Sequence, residues 1–252
     1  MIPTKDSADL LRDCLASVAW ADEIIVVDMF STDDTAEVCA AYPQCVLHQR
    51  QDLYLLGNVN FGFDQARSDW VMRLDTDERI TPELADEIRE LVRAAPADVT
   101  GYQFWERPIV MGRELRHGYG RRHHRKMLFR RGSARYPLRT EHDDLKTSGT
   151  WLHAQNGYLH FNYDSVSEFV AKVHFYTDRD VARAELPARR PPLWRGPLEC
   201  VRALYLYVVK WQGFRDGRVG LMDAGLRGYY QVVQWRKLRH RFDQERAAAS
   251  NV

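Results

Sequence analysis

The sequence predicts an α/β protein: a mainly parallel sheet with crossover helices, followed by a helical C-terminal extension. Three observations predict it. Short β-branched runs alternate with amphipathic helical patterns up to Gly101, as parallel strands joined by crossovers require. Two apolar runs, Glu23-Ile24-Ile25-Val26-Val27-Asp28 and Trp70-Val71-Met72-Arg73-Leu74-Asp75, end in acids, as buried strands do where they reach polar surroundings. After Ser165 the pattern is helical to the end. The expected division is residues 1–165 as one α/β domain and 166–252 as the helical region.

The elements follow in order. Ser7 can cap a helix that carries Leu10, Leu11, Cys14, Leu15 and Val18 at helical spacing. Glu23 to Asp28 is the next strand. Ser31-Thr32-Asp33-Asp34-Thr35 offers several caps to a helix from about Asp33 to Ala41, whose small residues Ala36, Cys39 and Ala40 allow close approach to a sheet. Cys45 to His48 is a weaker strand, Asn60 to Arg67 a helix, and Trp70 to Leu74 a strand. Thr81-Pro82-Glu83 opens another helix: a cap, proline at the first helical position and an acid in the first turn. Beyond it, Gly101 to Trp105, Lys126 to Arg130 and Gly157 to Phe161 read as strands. Pro187, Pro191, Pro192 and Pro197 mark a loop or hinge.

Composition limits the function classes. The chain has 252 residues, 45% hydrophobic and 28% charged, which excludes a disordered chain. A net charge of +1 supplies no global attraction to nucleic acid. Cys14, Cys39, Cys45 and Cys200 have neither a CxxC pair nor zinc spacing, so a reduced, cytoplasmic setting is expected. No basic leader and no uninterrupted apolar span stands out.

The chemistry concentrates in three acidic loci at strand ends and loops: Asp28; Asp75-Thr76-Asp77-Glu78; and Glu141, Asp143 and Asp144. In open α/β sheets ligands bind beyond the C-terminal ends of strands. Two carboxylates one residue apart there can hold a hard divalent cation. A strand-to-loop turn with solvated acids gives the same pattern.

Ile24 to Asp28, Ser31-Thr32-Asp33 and Trp70 to Glu78 resemble the inverting GT-A-fold (Rossmann-like) glycosyltransferases of family 2, closest to the bacterial branch that adds glucose to the lipopolysaccharide inner core. Leu128-Phe129-Arg130-Arg131, His142-Asp143, His160 and Gly213-Phe214-Arg215-Asp216-Gly217 extend the resemblance. It implies a UDP-sugar donor, UDP-glucose first, with Asp28 accepting a hydrogen bond from the uracil imide and Thr4 beside the base or ribose. It implies Mg²⁺ or Mn²⁺ on Asp75 and Asp77, with His160 as a further ligand. It also implies Asp75 at the donor diphosphate, and Arg130 on donor phosphate or an anionic acceptor. It implies Asp143 as the base that deprotonates the acceptor hydroxyl; Glu141 and Asp144 are neighbours of the same chemistry. Met29-Phe30 departs from the small residues usual after the Asp28 position, and Asn58-Val59 stands where a Gln-Lys or Gln-Arg pair is usual.

The acceptor implied is a lipid-linked or cell-surface glycan, and a protein or small acceptor is the alternative. The tail, Leu198 to Trp211 and Trp235 to Arg241, mixes aromatic and basic residues as interfacial helices do, so peripheral binding to the inner face of the cell membrane is expected. A different class of reading uses Arg121-Arg122-His123-His124-Arg125-Lys126 for nucleic acid; it leaves the three acidic loci without a role. An inactive nucleotide-sugar-binding module retains the fold but needs no intact Asp75-Thr76-Asp77.

Overall fold

A computed structural model describes residues 1–53, 55–119, 123–138, 143–184, 186–187 and 189–250. The chain forms two compact units, Met1–Arg107 with Arg122–His160, and Pro108–Arg121 with Phe161–Val252.

The first unit opens with β1 (Ile2–Thr4), α1 (Ala8–Ser17), β2 (Ile24–Asp28), α2 (Thr35–Ala40), β3 (Cys45–Gln49), α3 (Leu55–Gln65) and β4 (Trp70–Met72). Strands β1, β2 and β3 pair parallel, with Thr4 opposite Asp28. Met1 donates its nitrogen to Met72 O at 2.7 Å and accepts from Leu74 N at 3.1 Å, so β4 runs beside β1. The order across this edge is therefore β3-β2-β1-β4, and the three ends at Thr4, Asp28 and Arg73 fall on one side. Every residue of β2 is buried, which explains its unbroken apolar run.

The parallel part stops there. Next come β5 (Glu78–Arg79), α4 (Pro82–Arg93), β6 (Val99–Val110), β7 (Arg113–Glu114), β8 (His124–Arg130), β9 (Ala134–Arg135), β10 (Lys146–Thr147) and β11 (Thr150–Tyr163). The second sheet has the order β4-β8-β6-β11-β5, with β7 on β6. Its β4–β8, β6–β8 and β11–β5 pairs are antiparallel. The α/β class and the helical C-terminal region stand as predicted; the turn away from parallel pairing after β4 is the structure's addition.

Local chemistry explains several boundaries. Ser7 precedes α1, but its hydroxyl donates to Lys5 O; Asp33 caps the helix instead, accepting from Ala8 N at 2.8 Å. Helix α3 begins at Leu55, earlier than expected. Its buried Asn60 closes two hydrogen bonds with the Tyr136 backbone, 2.9 and 3.0 Å, so an interior polar residue pins a distant loop. Thr81 caps α4 by accepting from Leu84 N.

The second unit holds α5 (Val166–Arg183), α6 (Arg195–Leu204), a π-helical turn (Tyr205–Lys210), a 3₁₀ turn (Gly213–Asp216) and α7 (Gly217–Ser250). Its core joins Val110, Leu115, Tyr163, Phe169, Val173 and Val233. Buried Asp223 accepts from Tyr163 Oη at 2.8 Å and from Arg227 Nε at 2.9 Å. In the Gly213–Gly217 segment, Asp216 accepts from both the nitrogen and Nδ1 of His117, 2.8 and 2.9 Å. Gly217 has φ +66°, a conformation glycine adopts without strain. The resemblance at this segment thus falls on a structural clamp. Among the described residues, no helix is long and apolar enough to cross a membrane.

Candidate active site

Strand β4 delivers Asp75, Asp77 and Glu78 beyond its C-terminal end, into a group that also holds Arg73, Arg125, Glu106 and His160. Alternation along each strand selects these members. On β8, Arg125 points inward while Lys126 lies over the Trp151 ring, 4.9 Å from its centroid. The basic run is thereby divided between faces: His124 Nδ1 lies 2.6 Å from His153 Nδ1, and His123 is exposed. Arg121 and Arg122 lie outside the described residues.

Glu78 is fully buried. It pairs with Arg125 and accepts from Asp75 N at 2.8 Å. Burial pushes its carboxyl up to about 7 against the pull of Arg125. Asp75 accepts from Arg125 at 3.0 Å and from Arg73 at 3.1 Å. Burial works to raise its pKa, but the two guanidinium groups overcome that and hold it well below the ordinary carboxylate value. Arg73 is itself fixed by Tyr136 Oη at 2.7 Å.

His160 stands between two acids. Its Nδ1 donates to Glu106 Oε1 at 2.7 Å, and Nε2 lies 3.5 Å from Asp77 Oδ2. Burial lowers its pKa, but the hydrogen bonds and charges of Asp77 and Glu106 prevail and push it up to about 10. A carboxylate on one imidazole nitrogen fixes the ring so that the other can serve as a metal ligand. Among the described residues no three His, Cys, Asp or Glu side chains already surround a common metal position. The donor set nevertheless fits: the Asp77 carboxylate and the oriented imidazole of His160 face each other at 3.5 Å, with Asp75 adjoining.

Thr4 and Asp28 form a neighbouring pair at the ends of β1 and β2, both 2% exposed. Asp28 accepts from Ser31 N at 3.0 Å and from Gln49 Nε2 at 3.4 Å, so it also organises its own loop. Thr4 Oγ1 is buried with no partner, and so are both polar atoms of Asn58 on α3. Such groups are costly unless something else satisfies them. Phe30, in the loop after Asp28, takes φ +59° and stands 51% exposed.

The structure brings Asp75, Asp77 and His160 into one cluster and sets Thr4 beside Asp28. It does not bring Arg130 to them. Trp70 pairs with Arg130, which places Arg130 at the opposite end of β4. There it donates to Val99 O and Pro96 O and lies over the Trp70 ring, lining a cavity of about 710 Å³ with Trp20, Glu23 and Met72. The guanidinium groups at the acidic end are those of Arg73 and Arg125. Asp143 is half-buried between β9 and β10; Glu141 and His142 lie outside the described residues. Sequence reasoning missed Arg73, Glu106 and Arg125 as site members. Arg125 was visible only as part of a basic run.

These features define an α/β protein with an ionised site at the C-terminal ends of its strands. Residues 1–147, more than half of the chain, match the family described as "Glycosyl transferase family 2". The chain belongs to that family and is an enzyme that transfers sugar. It is 26% identical over 234 residues to "Lipopolysaccharide core biosynthesis glycosyltransferase LpsC" of Rhizobium meliloti (strain 1021), covering 88% of this chain and 82% of the relative. It is 26% identical over 250 residues to "Uncharacterized glycosyltransferase RP128" of Rickettsia prowazekii (strain Madrid E), covering 95% and 85%. Among solved structures, S. aureus TarS 1-349 in complex with UDP-GlcNAc aligns at 14% identity and TM-score 0.49, over 97% of this chain and 90% of that one. A longer TarS structure aligns at 15% identity and TM-score 0.46, over 86% of this chain; there the chain spans 45% of the other's length.

Proposed function

We propose that the enzyme moves a hexose, glucose as the first candidate, from a UDP-sugar to a hydroxyl of a lipid-linked or cell-surface glycan such as lipopolysaccharide core, with inversion. The observation that carries the reading is His160 held by Glu106 and facing Asp77 beside the ion-paired Asp75. The Rhizobium relative, named for lipopolysaccharide core biosynthesis, supports the acceptor class. Membrane-borne acceptor would make the enzyme a peripheral one.

Thr4 and Asp28 bind the nucleoside, Thr4 through its unsatisfied hydroxyl and Asp28 by accepting a hydrogen bond from the uracil imide. Asp77 and His160, with Asp75 adjoining, would hold Mg²⁺ or Mn²⁺, which would supply Lewis-acid neutralisation of charge on the diphosphate. Arg73 and Arg125 keep Asp75 ionised and in place. Glu106 holds the ring of His160. Asp143 takes the proton of the acceptor hydroxyl as that oxygen bonds to the anomeric carbon. The bond from that carbon to the diphosphate oxygen breaks, and UDP leaves with the electron pair.

The test is UDP release from UDP-glucose with Mn²⁺ and an isolated core acceptor. Asp77→Asn is expected to lower the rate by about 10²-fold or more, as loss of one transition-state contact does. Unchanged turnover in Asp77→Asn overturns the metal reading. A full rate with Asp143→Asn removes Asp143 as the base.

A further inference from the structure

We propose that the outward face of α6 and the π-helical turn after it is a docking surface for an anionic lipid bilayer. The proposal deepens the reading above by naming a partner surface. It is tested by vesicle binding alone, so the two can fail separately.

The helix is built inside out. Its buried residues are Gly196 and Ala203, whereas its large apolar residues point to water. Trp194 is 64% exposed, Val201 61%, Tyr205 60% and Val209 55%, with Leu198 at 43%. Their spacing of three and four residues lays them along one helical line. Inward packing explains the inversion. A Cβ at Gly196 would lie 2.5 Å from the Trp235 ring, and one at Gly228 of α7 would lie 2.9 Å from Cys200 Sγ. At Gly196 and Gly228 the two helices approach too closely for a larger residue, while Trp194, Val201, Tyr205 and Val209 stay largely in water.

Charge identifies the occupant. Basic residues directly follow three members of the line: Arg195 after Trp194, Arg202 after Val201, and Lys210 after Val209. Each falls on the border of the apolar stripe. The one acid on this stretch, Glu199, is drawn to Arg202 at 3.4 Å. An apolar stripe carrying Trp and Tyr and edged by cations matches the interface of a bilayer with anionic headgroups. A second copy of the same face would set these cations against their own kind. The helix lies along the surface, since no described helix can span a bilayer.

The experiment is flotation of the full chain with phosphatidylcholine vesicles, with and without phosphatidylglycerol. Binding is expected chiefly to the anionic vesicles and to weaken with salt. Trp194→Ser with Val201→Ser is expected to lower the partition coefficient about ten-fold or more, and Arg195→Glu with Arg202→Glu to abolish the preference for phosphatidylglycerol. All four positions are at the surface, so unchanged circular dichroism is expected. Brominated lipid should quench less fluorescence in Trp194→Phe than in the parent. Absence of flotation, or equal flotation of the serine variant, overturns the proposal. So does a dimer in sedimentation velocity that Val201→Asp splits while vesicles are ignored.

Discussion

Replacing Arg125 by Met removes the guanidinium that faces Glu78 and Asp75, and its cost depends on pH in a way the structure fixes. Asp75 keeps Arg73 at 3.1 Å. Glu78 is fully buried and loses its cation. At pH 7 Glu78, already pushed up to about 7, escapes by taking a proton. The loss there is the missing charge-assisted hydrogen bonds, about 2–3 kcal/mol. Above pH 7 the parent Glu78 is ionised in the folded state, whereas the variant's stays protonated and the unfolded chain's does not. A folded state that binds more protons than the unfolded one loses stability as pH rises, by about 1.4 kcal/mol per unit. From pH 7 to 9 the difference between the chains should therefore widen by about 2–3 kcal/mol beyond its pH 7 value. His160, pushed up to about 10, has its proton in both chains over this range and cancels. Urea unfolding at pH 7, 8 and 9 reads the difference. Adding Glu78→Gln to the variant should flatten its extra slope, because the amide still accepts from Asp75 N and does not titrate. A difference that stays level from pH 7 to 9, or a slope that survives Glu78→Gln, refutes the reasoning.

Thr4→Val, which removes only a buried, unpartnered hydroxyl, should leave stability unchanged or raise it by about 1 kcal/mol while weakening UDP binding in calorimetry. Glu106→Gln should lower Mn²⁺ affinity by about 10–100-fold, read by titration of the metal into the protein with UDP, because His160 loses the carboxylate at 2.7 Å. Gly196→Ala puts a methyl 2.5 Å from the Trp235 ring and should cost about 1–3 kcal/mol in thermal unfolding; Gly225→Ala, where a Cβ meets nothing, is the matched control on α7.

The sheet was legible where burial is symmetric. Strand β2 announces itself because all five residues are buried, and α4 because its cap, proline and acid agree with its apolar face. Strand β5 was not legible. Its two residues, Glu78 and Arg79, are charged and read as turn surface; they form a strand because β11 pairs with them and Arg125 neutralises the buried acid. The start of α3 was misplaced for a similar reason. Asn58, ahead of the expected start at Asn60, looks like a loop residue, yet it is buried inside the helix, and Asn60 serves the Tyr136 backbone 76 positions away. Propensity gives way wherever a distant partner satisfies the polar group.

The candidate site divides along the same line. Asp75, Asp77 and Asp28 are picked out by the rule that parallel strands present ligands at their C-terminal ends, which local sequence is enough to apply; Thr4 comes only from the family resemblance. Arg125 and Glu106 reach the site from β8 and β6, whose register pairs Trp105 with His124. That register brings the residues next in line, Glu106 and Arg125, within reach of His160 and Asp75. Local spacing carries no trace of it, since a one-residue slip would turn both side chains to the other face. Arg130 is kept apart from these acids by its position along β8. The bulge at Met127 keeps Arg130 on the same face of β8 as Arg125, but Arg130 lies at the far end of the antiparallel pair, opposite Trp70. Both arginines sit in one basic stretch of sequence, and only the pairing of β8 with β4 and β6 decides that Arg125 answers the acids while Arg130 caps the opposite edge.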